Sequence, residues 1–412
     1  MAPSSDRAAE TIGLWAQCLR AKLRAAGRGA QNAEMLLVAK RDGVLRFEDL
    51  GGWATRNASM ERIVRAADAL DGAPPLADFD EVVVQTGDRC IVRRRRRSLA
   101  DAGPRAAGEP AAADGAEGDE GADGLELHLW QNQPLDSARR AAFPLARVLS
   151  MCTAPSYADI AVPDWACDAW VEAGLGTDYD GSCAALAAAA AAPAPDARAC
   201  WFGTVHHHPC RLRLARLAEE HPQLIVCNNV FWTQAELAAG ERAATGAPAA
   251  ARDIAGAPAA GGFLSMEEQV RRFALCIDVQ GKGYSSRVKF LLHSGRPLLL
   301  ARRPWVEHFH ARLEPWRHYV PVREDLADLP ERVRWAHAHP ADAARIGAAG
   351  AAFAREHLTR AALLGEWRTA LARMADPDKP GAGARDGITP KGSWRADAAC
   401  GGEEGTDFPV KG

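Results

Sequence analysis

The chain lacks the features that mark membrane-spanning, secreted and metal-stapled proteins. Its 412 residues contain no run of about 18 strongly apolar residues, the length that a membrane-spanning helix requires. Charged residues interrupt every short apolar stretch of residues 1–24, so the apolar middle of a secretory signal peptide is missing. The ten cysteines include no CxxC pair and no regular framework, which indicates neither a zinc site nor a small disulfide scaffold. Buried free thiols and scattered disulfides both remain open.

A strong net charge is also missing. The 50 Lys and Arg residues oppose 53 Asp and Glu residues, which gives a formal charge of −3. Proteins that bind nucleic acids or membrane surfaces through their overall charge are strongly basic. The charge balance therefore predicts no nucleic-acid partner. The lack of a long apolar run predicts no membrane span in this chain.

Two segments contain too few large apolar side chains to fold. Residues 93–124 begin with five arginines and continue as an acidic stretch rich in Ala, Gly and Pro, and residues 376–412 form a similar tail. Such segments cannot bury enough apolar surface to offset the entropy lost on ordering. We predict a disordered acidic insertion and a disordered C-terminal tail, with the arginine run as a solvated loop.

Elsewhere short apolar runs alternate with helical patterns. Runs at 34–38 and 81–85 flank an amphipathic pattern at 60–70, and further runs occupy 224–228, 275–279 and 297–301. Strands that alternate with helices predict an α/β fold with parallel sheets built from βαβ units. An alanine-rich helix at 184–192 ends at Pro193 and marks the junction of two lobes.

Residues 273–301 predict a strand, a turn with Gly281 and Gly283, a helix and a second strand. Ser285 or Ser286 is placed to cap the helix, and the free N–H groups of a helix start attract an anion. Gly295 is placed to end the helix.

A cation stands at the start of this helix, where it opposes the helix dipole. Arg287 at that position needs an anionic partner, and a diphosphate is a natural one, with Lys289 as a weaker second cation. The alternative is an ordinary tight turn with Arg287 on the surface. A nicotinamide-dependent oxidoreductase is disfavoured, because Ser286 stands where the GxGxxG fingerprint needs its last glycine.

Several blocks resemble glycosyltransferase family 90, the capsule-associated and protein O-glucosyltransferase family. They are EVVVQTGDRC at 81–90, SYADIAVPDW at 156–165, ACWFGTVHHHPCRLRLARLAEEHP at 199–222, GYSSRVKFLLHSGRPLLL at 283–300, LEPWRHYVPV at 313–322 and AAFAREHL at 351–358. The blocks follow the family order over about residues 50–365.

The resemblance implies a GT-B fold, in which two Rossmann-like lobes face a central cleft. Residues 1–176 would form the acceptor-side lobe, residues 177–360 the lobe that binds the donor, and residues 361–375 a helix that crosses back. The family implies transfer of glucose or xylose from a UDP-sugar to a hydroxyl of a protein or glycan acceptor. It also implies inversion at the sugar carbon, no metal ion and no cofactor.

The resemblance also implies roles for individual residues. Asp88 matches the general base that takes the proton of the acceptor hydroxyl. Arg287 matches the residue that contacts the diphosphate, whose leaving-group charge it would offset. The other matches to donor-binding positions are Arg56, Gly203, Thr204, Arg211, Lys282, Gly283, Tyr284, Ser285 and Ser286.

Phe202 stands where the family usually has an arginine. One cationic contact is then missing unless Arg213 replaces it, and a catalytically degenerate binding protein is the main alternative function. The family works in the lumen of the endoplasmic reticulum or Golgi, whereas the missing signal peptide favours the cytoplasm. His206, His207 and His208 are consecutive, so we expect no metal site there. Asn57 begins a glycosylation sequon that we expect to be unused.

Overall fold

The computed structural model describes residues 32–51, 53–88, 92–94, 125–129, 133–134, 148–155, 157, 159–170, 173–176, 178–205, 208–229 and 264–375. Of the predicted disordered insertion, only Arg93 and Arg94 fall within these ranges, and they belong to a strand. Residues 95–124 and the predicted tail lie outside the described residues.

Thirteen strands and eight α-helices lie within the described ranges. The strands are β1 Asn32–Arg41, β2 Val44–Gly51, β3 Phe79–Gln85, β4 Val92–Arg94, β5 Leu125–Leu129, β6 Gln133–Pro134, β7 Val148–Ser150, β8 Ile160–Ala161, β9 Asp196–Gly203, β10 Ile225–Asn229, β11 Phe273–Asp278, β12 Leu298–Ala301 and β13 Val320–Val322. The helices are α1 Ala54–Asp68, α2 Tyr179–Ala190, α3 Pro209–Glu220, α4 Met266–Arg272, α5 Val288–Ser294, α6 Leu329–Ala338, α7 Pro340–His357 and α8 Arg360–Ala375.

The first sheet has the order β2-β1-β3-β7-β8 and is mixed. β1 is antiparallel to both β2 and β3, while β3, β7 and β8 are parallel. The prediction of a parallel βαβ unit across residues 34–85 is therefore wrong. Asp42 and Gly43, both with positive φ, form a two-residue turn that pairs β1 with β2 and so reverses the chain before α1 begins.

The second sheet has the order β10-β9-β11-β12-β13, and every neighbouring pair is parallel. This confirms the parallel arrangement predicted from the apolar runs between residues 224 and 301. The predicted strand, turn, helix and strand over 273–301 are β11, α5 and β12, and Gly295 ends α5 with φ of 76°. A separate antiparallel sheet contains β4, β5 and β6.

One apolar core reaches from the first sheet to one face of the second. It includes Val84 and Leu149 of the first sheet, Phe290 of α5 and Trp367 of α8. A second core covers the opposite face of the second sheet with residues of α3 and α6. The mixed α/β class is confirmed, and the GT-B arrangement stays a prediction.

The segment predicted to cross back to the first lobe forms most of α8. This helix packs on α1 and β3, and the Trp367 indole N–H donates to the Pro163 carbonyl across 2.9 Å. No helix in the described part of the chain is both long and apolar enough to cross a membrane. The seven cysteines in the described ranges are all free thiols.

Candidate functional site

Asp88 follows directly on the carboxyl end of β3. The preceding turn is fixed by Thr86, whose N–H donates to the Glu34 carbonyl and whose hydroxyl donates to Asn57 Oδ1, both across 2.7 Å. Ligand-binding groups in α/β proteins gather at the carboxyl ends of parallel strands. β3 and β7 present such an edge, so Asp88 lies where a ligand site is expected.

Arg56 holds the Asp88 carboxylate. Its Nη1 donates to Asp88 Oδ1 across 2.9 Å and to the Thr86 carbonyl across 3.2 Å. The guanidinium carbon lies 5.5 Å from the ring centre of Trp53 and 5.0 Å from that of Trp165. Burial lowers the pKa of Arg56, but the charge and hydrogen bond of Asp88, together with the charges of Tyr284 and Glu34, outweigh this effect and the pKa is raised. Arg56 therefore stays charged and positions Asp88.

Glu34 is a second carboxylate beside this pair, and the sequence patterns did not reveal it. Its φ of 52° is unusual for a residue other than glycine, and the pairing of β1 with β2 shifts register between Asn32 and Leu36. Burial, followed by the charge of Asp88, raises the pKa of Glu34. Its carboxylate lies over Gly87, where any Cβ would collide with it. Only the fold shows this register shift, so no sequence motif could have found Glu34.

The opposite wall of the site begins at the carboxyl end of β11. Asp278 is buried there and accepts from Ser285 Oγ across 2.8 Å and from Arg303 Nη1 across 2.7 Å. The prediction that Ser285 or Ser286 caps α5 is wrong, because Arg287 is the N-cap residue and no side chain caps the helix. Ser285 instead fixes the loop that connects β11 to α5.

Arg287 and Arg211 both stack on Trp201. Their guanidinium carbons lie 5.0 and 5.1 Å from the centre of that ring. Arg287 Nη1 donates to the Phe202 carbonyl across 2.7 Å, and Arg211 donates to the carbonyls of Gln280 and Thr204 across 2.8 and 3.1 Å.

The two guanidinium groups lie close enough to repel each other. Burial, followed by the charge of Arg287, lowers the pKa of Arg211 to about 10. Arg287 Nη2 is 3.3 Å from Asp278 Oδ1, yet it has no hydrogen-bond acceptor among the described residues. Asp278 is thus an internal anionic partner for Arg287, besides the diphosphate that the sequence suggested. Its single carboxylate is shared with Arg303, so a bound anion would still relieve the repulsion between Arg211 and Arg287.

Two glycines allow this close packing. A Cβ on Gly203 would lie 2.9 Å from the Trp201 ring, and a Cβ on Gly281 would lie 3.2 Å from Arg211 Nη2. Gly203 therefore lies against the ring that carries both arginines, and Thr204 contributes its carbonyl to Arg211.

The loop of residues 281–287 is here called the donor loop after the role predicted for it. It connects the wall that contains Asp278 with the wall that contains Asp88. Tyr284 is buried, and its hydroxyl donates to Met151 Sδ across 3.3 Å, just beyond β7. Burial, followed by the charge of Asp164, raises the pKa of Tyr284 well above its usual value. Lys282 is exposed and interacts electrostatically with Glu34. The next residue, Gly283, is buried. The donor loop therefore lies beside Arg56 and Asp88, with which Tyr284 interacts electrostatically, and the region between them is here called the cleft.

The side chains of Phe202 and Arg213 make their contacts elsewhere, although the Phe202 carbonyl accepts from Arg287. The Phe202 ring packs on Phe273 at 5.9 Å between centres, and Arg213 is a half-exposed partner of Glu220 at 3.5 Å. The structure does not bring Arg213, the substitute that the sequence suggested, to Arg211 and Arg287, because it pairs with Glu220; Arg303 is the third cation near Asp278. Arg303 comes shortly after β12, and the rule that strand ends carry ligand groups could have identified it.

Other residues from the sequence analysis have structural contacts. His208 is the N-cap of α3 and accepts from the Cys210 N–H, while His206 and His207 lie outside the described residues. Among the residues that the structure describes, no three His, Cys, Asp or Glu side chains are grouped to hold a metal ion. Asn57 is buried in α1 and donates to Asp49 Oδ1 across 2.7 Å, so its sequon nitrogen is engaged.

His318 lies away from the cleft. It lines a separate cavity of about 270 Å³ together with Arg312, Arg317, Phe353 and His357. The charged groups of this cavity have nearby partners, such as Glu314, which accepts from Arg317 across 2.7 Å. This cavity therefore gives no reason to move the site from the Asp88 cleft.

The comparisons with known proteins identify a family. Residues 129–375, more than half of the chain, match the family model described as Glycosyl transferase family 90. The chain is 40% identical to Protein O-glucosyltransferase 2 of Danio rerio over 82 residues, which cover 20% of this chain and 16% of that protein. It is 27% identical to Protein O-glucosyltransferase 3 of Homo sapiens over 181 residues, which cover 43% of this chain and 32% of that protein.

A viral protein is similar over a longer stretch. Uncharacterized protein 027R of Frog virus 3 (isolate Goorha) is 29% identical over 252 residues, which cover 53% of this chain and 25% of that protein. In each of the three comparisons, the matching part spans less than a third of the relative's length.

Proposed function

The chain belongs to glycosyl transferase family 90, and on that premise we propose that it moves glucose or xylose from a UDP-sugar to a hydroxyl group, with inversion. The acceptor is a protein or a glycan, and the names of the relatives from Danio rerio and Homo sapiens favour a protein. The observation that carries the proposal is the arrangement of the charged groups. A carboxylate held by Arg56 faces a loop beside two arginines that share one aromatic ring.

In this proposal Asp88 removes the proton from the acceptor hydroxyl as that oxygen attacks the sugar carbon. A carboxylate contributes as a base when it lies within hydrogen-bond reach of the proton, and Arg56 fixes its direction. Arg56 binds one oxygen of the Asp88 carboxylate, so the second oxygen can accept the proton of the acceptor. Attack from the side opposite the leaving group accounts for the inversion.

Arg287 and Arg211 offset the negative charge that develops on the departing UDP. In metal-dependent transferases a divalent ion fills this role, and we propose that the two guanidinium groups fill it here without a metal ion or another cofactor. Charges that are fixed before the reaction stabilise the leaving group without rearrangement, and both arginines are already fixed by backbone carbonyls.

The experiment that tests this function replaces Asp88. We expect Asp88→Asn to lower the rate of sugar transfer by at least about 10²-fold, because a general base contributes that much or more. UDP affinity, measured by calorimetry, should stay within threefold, since Asp88 lies on the other wall of the cleft. The assay uses UDP-glucose and UDP-xylose and detects released UDP.

Asp196→Asn is the matched control for this variant. Asp196 also pairs with an arginine, Arg198, across 2.6 Å. However, it is the first residue of β9, at the end of that strand opposite to Gly203. Asp196→Asn should keep the wild-type rate. Full turnover by Asp88→Asn would show that another group is the base.

A degenerate binding protein of the same fold is the second candidate, because Phe202 replaces an arginine that the family usually has. Wild-type protein that binds UDP but releases none from either UDP-sugar would support it. A nicotinamide-dependent oxidoreductase is a third reading, and tight NAD binding in place of UDP binding would favour it. The endoplasmic reticulum or Golgi lumen remains the proposed compartment, with the cytoplasm as its alternative.

A further inference from the structure

A buried ionic cluster lies directly behind the donor loop. Lys289 Nζ is 2.8 Å from Asp164 Oδ1 and 3.1 Å from Glu307 Oε1, and it donates to the Ser286 carbonyl across 2.9 Å. The Lys289 and Asp164 side chains are 1% and 0% exposed. The sequence offered Lys289 as a second cation for a diphosphate, but this burial turns it away from any ligand.

Stability alone does not explain the cluster. Asp164 Oδ2 and Glu307 Oε2 have no hydrogen-bond partner among the described residues. Buried ion pairs with unsatisfied oxygens are often no more stable than apolar side chains of similar volume. The cluster also fixes backbone, because Lys289 donates to the Ser286 carbonyl of the donor loop.

The cluster joins the two walls of the cleft. Lys289 and Ser286 belong to the donor wall, whereas Asp164 precedes Trp165, whose ring carries the Arg56 guanidinium at 5.0 Å. Arg56 in turn holds Asp88. A continuous chain of contacts thus leads from the donor loop to the proposed base.

A backbone bridge supports the same connection. Thr153, beyond β7, and Val306, beside Glu307, exchange two hydrogen bonds of 2.8 and 2.9 Å. The bridge fixes the segment after β7 against the segment that contains Glu307. Lys289 then fixes the donor loop against Glu307. Lys40, which is also buried, pairs with the single carboxylate of Asp68.

We infer that Lys289 is a positioning residue for sugar transfer, which sets the distance between the donor loop and Asp88 by tying the Ser286 carbonyl to Asp164 and Glu307. This inference rests on the proposed function. Lys289 touches neither substrate, and it acts through the backbone of the donor loop. Its loss should misplace the sugar carbon relative to Asp88 while UDP keeps its own contacts with Arg211 and Arg287.

The test compares two buried lysines. Lys289→Met removes the proposed link, and Lys40→Met is the control, because Lys40 is 2% exposed and pairs with Asp68 at 2.7 Å on the outer part of the first sheet. Both variants lose a buried ion pair, so both should unfold at lower urea concentration. Only Lys289→Met should lower kcat for the UDP-sugar, by about 10²-fold, since misplacement of about 1 Å has effects of that size.

Two further measurements separate positioning from general damage. The Kd of UDP should change less than threefold in Lys289→Met. Hydrogen exchange of residues 280–287 should become at least tenfold faster in Lys289→Met and stay unchanged in Lys40→Met, because exchange reports local opening. Wild-type kcat in folded Lys289→Met, or an equal loss of kcat in Lys40→Met, would overturn the inference.

Asp164→Asn carries the test if Lys289→Met does not fold. It keeps the shape of the side chain and removes the charge that faces Nζ, so kcat should fall at least tenfold with an unchanged Kd of UDP. A folded Asp164→Asn protein with wild-type kcat would overturn the inference. Wild-type protein that neither binds UDP nor turns over a UDP-sugar would overturn the proposed function and this inference with it.

Discussion

Trp201 carries two guanidinium groups, and this is the strongest residue-level sign of an anionic ligand. Cations over an indole are attracted to its ring, yet each cation also repels the other. The lowered pKa of Arg211 reflects that repulsion in addition to burial. A bound diphosphate would remove it by placing two negative groups between the two positive ones.

UDP binding should therefore depend on both arginines. We expect Arg211→Ala and Arg287→Ala each to raise the Kd of UDP by about 10- to 10²-fold, as a hydrogen bond to a charged group contributes about 1.5–3 kcal/mol. Arg213→Ala is the control on the same helix, because Arg213 faces Glu220 instead. Calorimetry measures all three variants. An equal loss in Arg213→Ala would mean that UDP responds only to the overall positive charge.

At the same scale, the sequence predicted which residues lie near one another better than it predicted their contacts. Asp88 and Arg287 could be found because each follows an apolar strand and matches a family block. Glu34 could not be found by motif, since it depends on a register shift, whereas Arg303 follows β12 and the rule on strand ends could have found it. Ser285 does not cap α5 as predicted, because the buried Asp278 carboxylate competes successfully for its hydroxyl.

At the scale of elements, α7 approaches the second sheet closely because it contains glycine. A Cβ on Gly347 would collide with the carbonyl of Gly295 and lie 3.0 Å from the nitrogen of Pro297. Gly295 ends α5 with a left-handed conformation. The turn that places α5 behind the donor loop is therefore packed against the backbone of α7.

Alanine at Gly347 should separate these two elements. We expect Gly347→Ala to lower the free energy of unfolding by about 1–3 kcal/mol, the usual effect of overpacking. Gly365→Ala in α8 is the control, because a Cβ at that position would have nothing within 4 Å, and it should raise stability by about 0.5–1 kcal/mol. Urea unfolding measures both. A stable Gly347→Ala protein would show that α7 moves away without cost.

Strand orientation shows where element-level prediction failed. The five strands of the second sheet followed the expected parallel pattern because helices separate most of them along the chain. Between residues 38 and 81 the sequence also contains a second strand, β2, before α1. The Asp42-Gly43 pair is a hairpin signal that was present in the sequence, and using it would have predicted the antiparallel start.

At the scale of the whole molecule, the ionic cluster makes stability depend on pH. Burial raises the pKa of Glu307 to about 8, against an ordinary value of 4.5. Between pH 4.5 and 8 the folded state therefore holds a proton on Glu307 that the unfolded state has released, and the Oε1 of this neutral carboxyl still accepts from Lys289. The stabilisation from this group is complete below pH 4.5 and is lost as the pH rises towards 8 and beyond.

Replacing Glu307 should remove that pH dependence. We expect the free energy of unfolding of wild-type protein to fall between about pH 6 and 8 more steeply than that of Glu307→Gln, whose amide does not titrate. Urea unfolding at about pH 6, 7, 8 and 9 gives the comparison, in which the contributions of other groups cancel. Parallel curves for the two proteins would show that Glu307 titrates below this range.

The core that both sheets share has a consequence for any attempt to divide the chain. Val84 and Leu149 contribute one side of it, while Phe290 and Trp367 contribute the other. Two polypeptides made by cutting between residues 176 and 177 would each carry half of an apolar interior with nothing to cover it. We expect such fragments to aggregate when produced singly and to reassemble when produced together, so that they work as a complementation pair rather than as two independent modules.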